Sequence, residues 1–168
     1  MQNPYIDHEV TPHIPKFRKE KLLSLIKKHK QLIIGVDYDN TIRGVNSQDP
    51  YNDVIDLVKR AKTQGHIICI WTANTHQEEV KKDLTSLELT FDFFNESPIC
   101  NQGRKPHFNL LLDDIAGLHE SYHRLDQLLQ HVDTESVNPK TVSEGRVYKS
   151  NTNPLLSFKV INNRYLLK

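Results

Sequence analysis

The sequence predicts an α/β fold: a Rossmann-like, mainly parallel sheet with helices on both faces. Three observations predict it. Short apolar runs of strand length alternate with segments whose apolar residues recur every three or four positions. Three of those runs, Gln31–Asp37, Ile67–Trp71 and Phe108–Leu112, end abruptly in polar residues. A chain of 168 residues with 37% hydrophobic content is long enough for one domain with a real core.

Each element follows from its own pattern. Residues 1–14 mix Pro4, Pro12 and polar groups and read as an irregular arm. Pro15 suits the first turn of a helix over 15–30, where Phe17, Leu22, Leu25 and Ile26 form a narrow apolar stripe among lysines. These first 30 residues precede a core predicted over 31–132. Its first strand is Gln31–Asp37, followed by a loop or tight hairpin over 43–50. Val54, Leu57, Val58 and Ala61 mark a helix over 51–64, which Gly65 is placed to end. After the strand Ile67–Trp71, Asn74 or Thr75 can cap a helix over 77–87 that carries Glu78 and Glu79 in its first turn. Phe91–Phe94 reads as a short strand, 95–106 as loop, Phe108–Leu112 as a strand and 116–132 as a helix. Residues 133–168 read as a polar linker and a C-terminal β-hairpin around Asn162-Asn163, an extension of the same domain.

Charge and composition exclude several function classes. The 22 basic and 21 acidic residues nearly cancel, so no global field argues for nucleic acid, although Lys16–Lys30 can form a basic strip. No apolar run reaches the length needed to span a membrane, so no membrane partner is expected. Cys69 and Cys100 are too few for a disulfide framework and read as reduced thiols. The opening Met1-Gln2-Asn3-Pro4-Tyr5 lacks the basic-then-apolar pattern of a secretory signal, and a cytoplasmic protein is the expectation. An exposed edge on the C-terminal hairpin is expected to pair, which makes a homo-oligomer the matching expectation.

The chemistry concentrates where the strands stop. Asp37 and Asp39 end the first, Thr72 the second, and Asp113 and Asp114 the last, with Lys105 just ahead of that last strand. In open α/β sheets ligands bind at the carboxyl ends of the strands. Carboxylates converging there repel one another and call for a cation. Mg²⁺ fits, because it takes hard oxygen ligands and often uses only one or two carboxylates plus substrate phosphate and water. Thr72 can donate a hydrogen bond to a phosphoryl group and Lys105 can supply a point charge. A carboxylate beside a bound phosphoryl group can attack phosphorus, and a second carboxyl two residues on can move the proton.

Asp37-x-Asp39-x-Thr41, Thr72, Lys105 and Asp113-Asp114, in this order and each beside its strand, resemble the four motifs of the haloacid dehalogenase superfamily over residues 31–130. The resemblance implies a Mg²⁺-dependent phosphomonoester hydrolase that works through an aspartyl-phosphate. By position, Asp37 is the implied nucleophile and Asp39 the acid/base. Asp37, Asp39 (through its carbonyl) and Asp113 are the implied metal ligands. Thr72, Lys105, Asn40 and Ala73 would hold the phosphoryl group, with Thr41 and Asp114 in support. Arg43, Asn74 and Arg104 are candidate substrate contacts. Halide-removing members lack the second acid of the first motif, so Asp39 argues for a phosphatase. Asp39 to Thr72 and Thr72 to Lys105 each span 33 positions, which leaves no room for a folded cap. The chain thus resembles the capless or minimally capped group, whose open sites suit large substrates such as nucleic-acid 3′ ends or phosphoproteins, with small nucleotides and sugar phosphates as alternatives.

Two other readings compete. The same rim can hold a phosphorylated partner without turning it over. And His119-Glu120-Ser121-Tyr122-His123 spells the H-E-x-x-H of zinc peptidases. Its extension is missing, since Asp126 and Leu129 stand where glycine and a third histidine belong, which leaves only a distant Glu135 or Glu144 as third ligand.

Overall fold

The computed structural model describes residues 1–98, 106–135, 159–161 and 164–166. Cys100, Arg104, Lys105 and most of the expected linker over 133–154 lie outside the described residues. The chain divides into two compact units, Met1–Thr134 and Glu135–Lys168.

The first unit is a four-stranded, all-parallel sheet with four helices. Its elements run α1 (Lys16–His29), β1 (Ile33–Val36), α2 (Asn52–Thr63), β2 (Ile67–Ile70), α3 (Gln77–Ser86), β3 (Phe93–Phe94), β4 (Leu110–Leu112) and α4 (Leu118–Glu135). The strand order is β3-β2-β1-β4, so β1 is the strand at which the winding reverses. Val36 lies opposite both Ile70 and Leu112, which brings the ends of β2, β1 and β4 level. In the second unit, β5 (Lys159–Ile161) pairs antiparallel with β6 (Arg164–Leu166).

Alternation along the strands decides what the helices cover. Ile34, Val36, Ile68, Ile70, Leu110 and Leu112 share one face by register and join a single buried cluster. Leu22 of α1, Val58 of α2, Leu84 of α3 and Leu125 of α4 belong to the same cluster. Arg60 pairs with Asp126, and the Gln64 side-chain amide donates to the Leu129 carbonyl at 3.1 Å, tying α2 to α4. The alternate residues Ile33, Ile67 and Cys69 are buried outside that cluster. All four helices thus share one buried cluster with that strand face. The β1-α2-β2 and β2-α3-β3 units wind in one direction, and right-handed crossovers keep both helices on one side.

Local chemistry sets the element ends. Gly65 (φ +86°) closes α2: its N–H donates to Lys62 O and that of His66 to Ala61 O, both near 3 Å. This is a Schellman end, and only glycine adopts the left-handed turn without cost. At α3 the N-cap is His76 rather than Asn74 or Thr75. The Asn74 side chain acts one step earlier, accepting the His76 N–H at 2.9 Å. Gly35, mid-β1, has a different reason: a Cβ there would lie 2.7 Å from the Phe108 ring and 2.9 Å from Leu111. Burial pushes the Cys69 thiol up to about 12, the behaviour of an inert core thiol.

Two stability predictions follow from these contacts. Gly35→Ala overpacks the second face of the sheet and should cost about 1–3 kcal/mol, read from the denaturant midpoint. His66 is buried and its ring Nδ1 accepts the Leu32 N–H at 3.3 Å, so the neutral form is built in and burial lowers its pKa to about 4. The unfolded chain takes up that proton near 6.5 and the folded chain only near 4. Stability should therefore fall as pH drops across that window, by up to about 3 kcal/mol. His66→Gln should flatten that slope in denaturation curves taken at several pH values.

Candidate active site

The site is built on β1 because β1 is held from both sides. The Asp37 N–H donates to Leu112 O at 2.9 Å, and Trp71 N–H donates to Val36 O at the same distance. Asp37 is thereby fixed between the last residues of β2 and β4, with Asp113 one residue beyond Leu112. Its carboxyl is pushed up to about 7, first by burial, then by the negative charge of Asp113, and less by Asp114 and Asp39. A hydrogen bond from the Tyr38 N–H offsets part of this. A carboxyl raised in part by acidic neighbours is one that a bound cation would relieve.

Asp39 emerges from a tight turn. Tyr38 O accepts the N–H groups of Ile42 and Arg43, Arg43 O accepts that of Asn40, and Asn40 takes a left-handed φ of 57°. Asn40 tolerates this conformation, and its Oδ1 accepts the Val45 N–H at 3.2 Å. Buried Thr41 accepts the Asp114 N–H on its Oγ1 at 3.1 Å and so joins this turn to the end of β4. Thr72, also buried, donates its hydroxyl to Asp39 Oδ2 at 3.2 Å and accepts the Asn74 N–H at 3.0 Å. Asp113 uses Oδ1 to accept the N–H groups of Ile115 and Ala116. Ala73 is exposed beside Thr72. Of the residues expected from the sequence, Asp37, Asp39, Asn40, Thr41, Thr72, Asn74, Asp113 and Asp114 thus converge on one rim. Arg104 and Lys105 lie outside the described residues.

Arg43 is not free to reach out. Its guanidinium forks onto the Asp83 carboxylate of α3, with Nε at 2.7 Å, and its third nitrogen meets Gln48 O. Tyr38 donates its hydroxyl to the same carboxylate at 2.8 Å, and burial with that bond lifts the phenol to about 12. The pair closes the back of a cleft of about 440 Å³ that runs from Asp39 past Asn74 and His76 to Glu79. Sequence reasoning missed Asp83, and also Asn95, whose Oδ1 accepts the Thr72 N–H at 2.8 Å. Asn95 follows β3 directly, so the rule that strand ends carry the site could have found it. Asp83 sits mid-helix and carries no such signal.

Among the described residues, no group of three or more His, Cys, Asp or Glu side chains is arranged to hold a metal ion. The resemblance asks for less: the carboxylates of Asp37 and Asp113 with the Asp39 carbonyl. Mg²⁺ routinely takes one or two protein carboxylates and completes its shell with water and phosphate oxygens. The donors fit that pattern, since they are all hard oxygens and the Asp37 carboxyl is destabilised by its acidic neighbours. His119 and His123 have other work. His119 Nδ1 accepts the Asp7 N–H at 3.2 Å, and His123 Nε2 meets Asp7 O at 2.9 Å.

No family model, curated protein or solved structure matches the chain.

The acidic rim makes a stability prediction of its own. With its pKa raised from 3.8 to about 7, the folded Asp37 binds its proton more tightly than the unfolded chain does. Folding therefore loses stability as pH rises through that window, and the loss is complete above it. Asp37→Asn should stabilise the metal-free protein at pH 8 by about 1–3 kcal/mol, a range reduced for solvent screening of a partly exposed group. The gain should vanish near pH 4. Paired melts of the two proteins with chelator present test this.

Proposed function

We propose that the chain is a Mg²⁺-dependent phosphomonoester hydrolase of the haloacid dehalogenase type, with a Rossmann-like fold, acting through phosphorylation of Asp37. One observation carries the reading: Asp37 is held at the end of the central strand, where burial and then the charges of Asp113, Asp114 and Asp39 raise its pKa. A cluster of this kind without a cation is a standing electrostatic cost, and such costs concentrate at functional sites.

In this mechanism an Asp37 carboxylate oxygen attacks phosphorus in line with the ester oxygen. The new bond is Asp37 O–P and the broken bond is P–OR. Asp39 gives its proton to the departing alkoxide, so the alcohol leaves neutral. Asp39, now a carboxylate, takes a proton from water as that water attacks the phosphorus of the acyl phosphate. The Asp37 O–P bond breaks and inorganic phosphate leaves. The Thr72 hydroxyl, 3.2 Å from Asp39 Oδ2, holds Asp39 in place and would turn its proton to a phosphoryl oxygen once substrate is bound. Asn40 and Ala73 would offer backbone N–H groups there, and Lys105 a positive charge. Asp37, the Asp39 carbonyl and Asp113 would hold Mg²⁺, which supplies charge neutralisation for the phosphoryl oxygens.

The cleft beyond Asp39 is open along Asn74, His76 and Glu79, in keeping with a capless enzyme. Its volume of about 440 Å³ suits the alcohol portion of a nucleotide or a sugar phosphate as readily as a phosphorylated side chain. A cytoplasmic enzyme is the matching proposal.

Turnover of p-nitrophenyl phosphate should require Mg²⁺ and stop with chelator. Asp37→Asn should reduce it to background in a folded protein, and Asp39→Asn should lower kcat about 10²–10⁴-fold. Full activity in Asp37→Asn would sink the mechanism. A wild type that binds phosphate with Mg²⁺ but hydrolyses nothing would move the protein to the class of binding modules.

A further inference from the structure

Every polar atom of Asn3 is engaged, and two of its bonds reach the turn that carries Asp39. Asn3 is 1% exposed. Its side-chain amide donates to Asn40 O at 2.9 Å and to Thr41 O at 3.1 Å, 37 and 38 residues away in sequence. Its Oδ1 accepts the Tyr5 N–H, its own N–H lies against both oxygens of the Asp53 carboxylate, and its carbonyl accepts the Ile6 N–H. No backbone N–H among the described residues donates to the Asn40 or Thr41 carbonyl. The arm is held again further on, where Asp7 sits between His119 and His123 of α4 and His8 pairs with Asp53.

We propose that Asn3 is a positioning residue for the active-site turn: its amide, buried behind Asn40 and Thr41, fixes the backbone that sets Asp39 against Thr72. The proposal rests on the phosphatase reading for its catalytic consequence, though not for its structural one. The physical reason lies in the turn itself. Asn40 occupies a left-handed conformation, and the turn's own bonds satisfy Tyr38 O and Arg43 O but leave the Asn40 and Thr41 carbonyls to the Asn3 amide. A buried carbonyl without a donor is costly, so a turn that loses Asn3 must rearrange to reach water. Rearrangement moves Asp39 and Thr41 together, and Thr41 holds Asp114. The arm thus acts on the site through geometry, without touching substrate.

Asn3→Asp keeps the shape and removes both donors, and it is the variant to test. Amide hydrogen exchange read by mass spectrometry should rise about tenfold in the peptide covering 38–44, with the α2 peptide over 57–63 unchanged. In the same protein, kcat for p-nitrophenyl phosphate with Mg²⁺ should fall about 10–100-fold with KM within about threefold. If Asn3→Asp does not fold, Asp53→Ala, which removes the anchor of the Asn3 N–H, should raise exchange over 38–44 in the same selective way. Exchange over 38–44 equal to wild type, or rising equally in α2, overturns the proposal. A wild type without hydrolytic activity would overturn the phosphatase reading alone, because the exchange measurement still decides the role of Asn3.

Discussion

Repulsion among carboxylates at the end of β1 is the constraint on which the rest of this unit depends. β1 is paired on both sides, so Asp37 cannot swing away from Asp113 without breaking the sheet. The cost appears in its carboxyl, which burial and three acidic neighbours raise to about 7. Apolar burial elsewhere offsets it. β1 and β2 are buried along their whole length, and all four helices join one cluster with the strand face that bears Val36 and Leu112. A unit stabilised in this way tolerates a local electrostatic cost of a few kcal/mol, the order at which active sites commonly trade stability for chemistry.

Rigidity then has to be supplied to the turn after β1, which has neither strand nor helix to hold it. Three anchors from distant parts of the chain do so. The Tyr38 hydroxyl and Arg43 fasten its two ends to Asp83 of α3. Thr41 fastens its middle to Asp114. Asn3 closes it from behind. Each anchor is a hydrogen bond to a buried or half-buried group, where losing one partner leaves the other unsatisfied. The turn is therefore over-determined, which explains how Asn40 keeps a positive φ without being glycine.

The sequence made the strands and their ends legible and left their supports hidden. β1, β2 and β4 were readable because an apolar run that stops at Asp or Thr is a local pattern. The helices were readable to within two or three residues from three- and four-residue spacing, with Gly65 and Pro15 as punctuation. Asn3, Asp83 and Asn95 were not readable, because they act through bonds spanning 37, 40 and 23 residues. An asparagine in an irregular arm looks like any turn residue. Its role exists only once the arm has folded back onto α2.

His119-Glu120-x-x-His123 marks the limit of motif reading from the other side. As letters it is as specific as Asp37-x-Asp39, and it lies on a helix, as a zinc site requires. The difference is what the fold brings to it. Asp37 receives Asp113 and Asp39 receives Thr72, each from a separate strand, whereas the two histidines receive the backbone of Asp7, one bonding its N–H and the other its carbonyl. An imidazole with one nitrogen accepting and another donating matches a peptide group as well as it matches a metal. Placed one turn apart, the two rings take both polar atoms of one residue and hold the arm against α4. The same chemistry that would make a pair of histidines a metal site here makes them a clamp, and the clamp holds the arm on which Asn3 reaches the turn after Asp39.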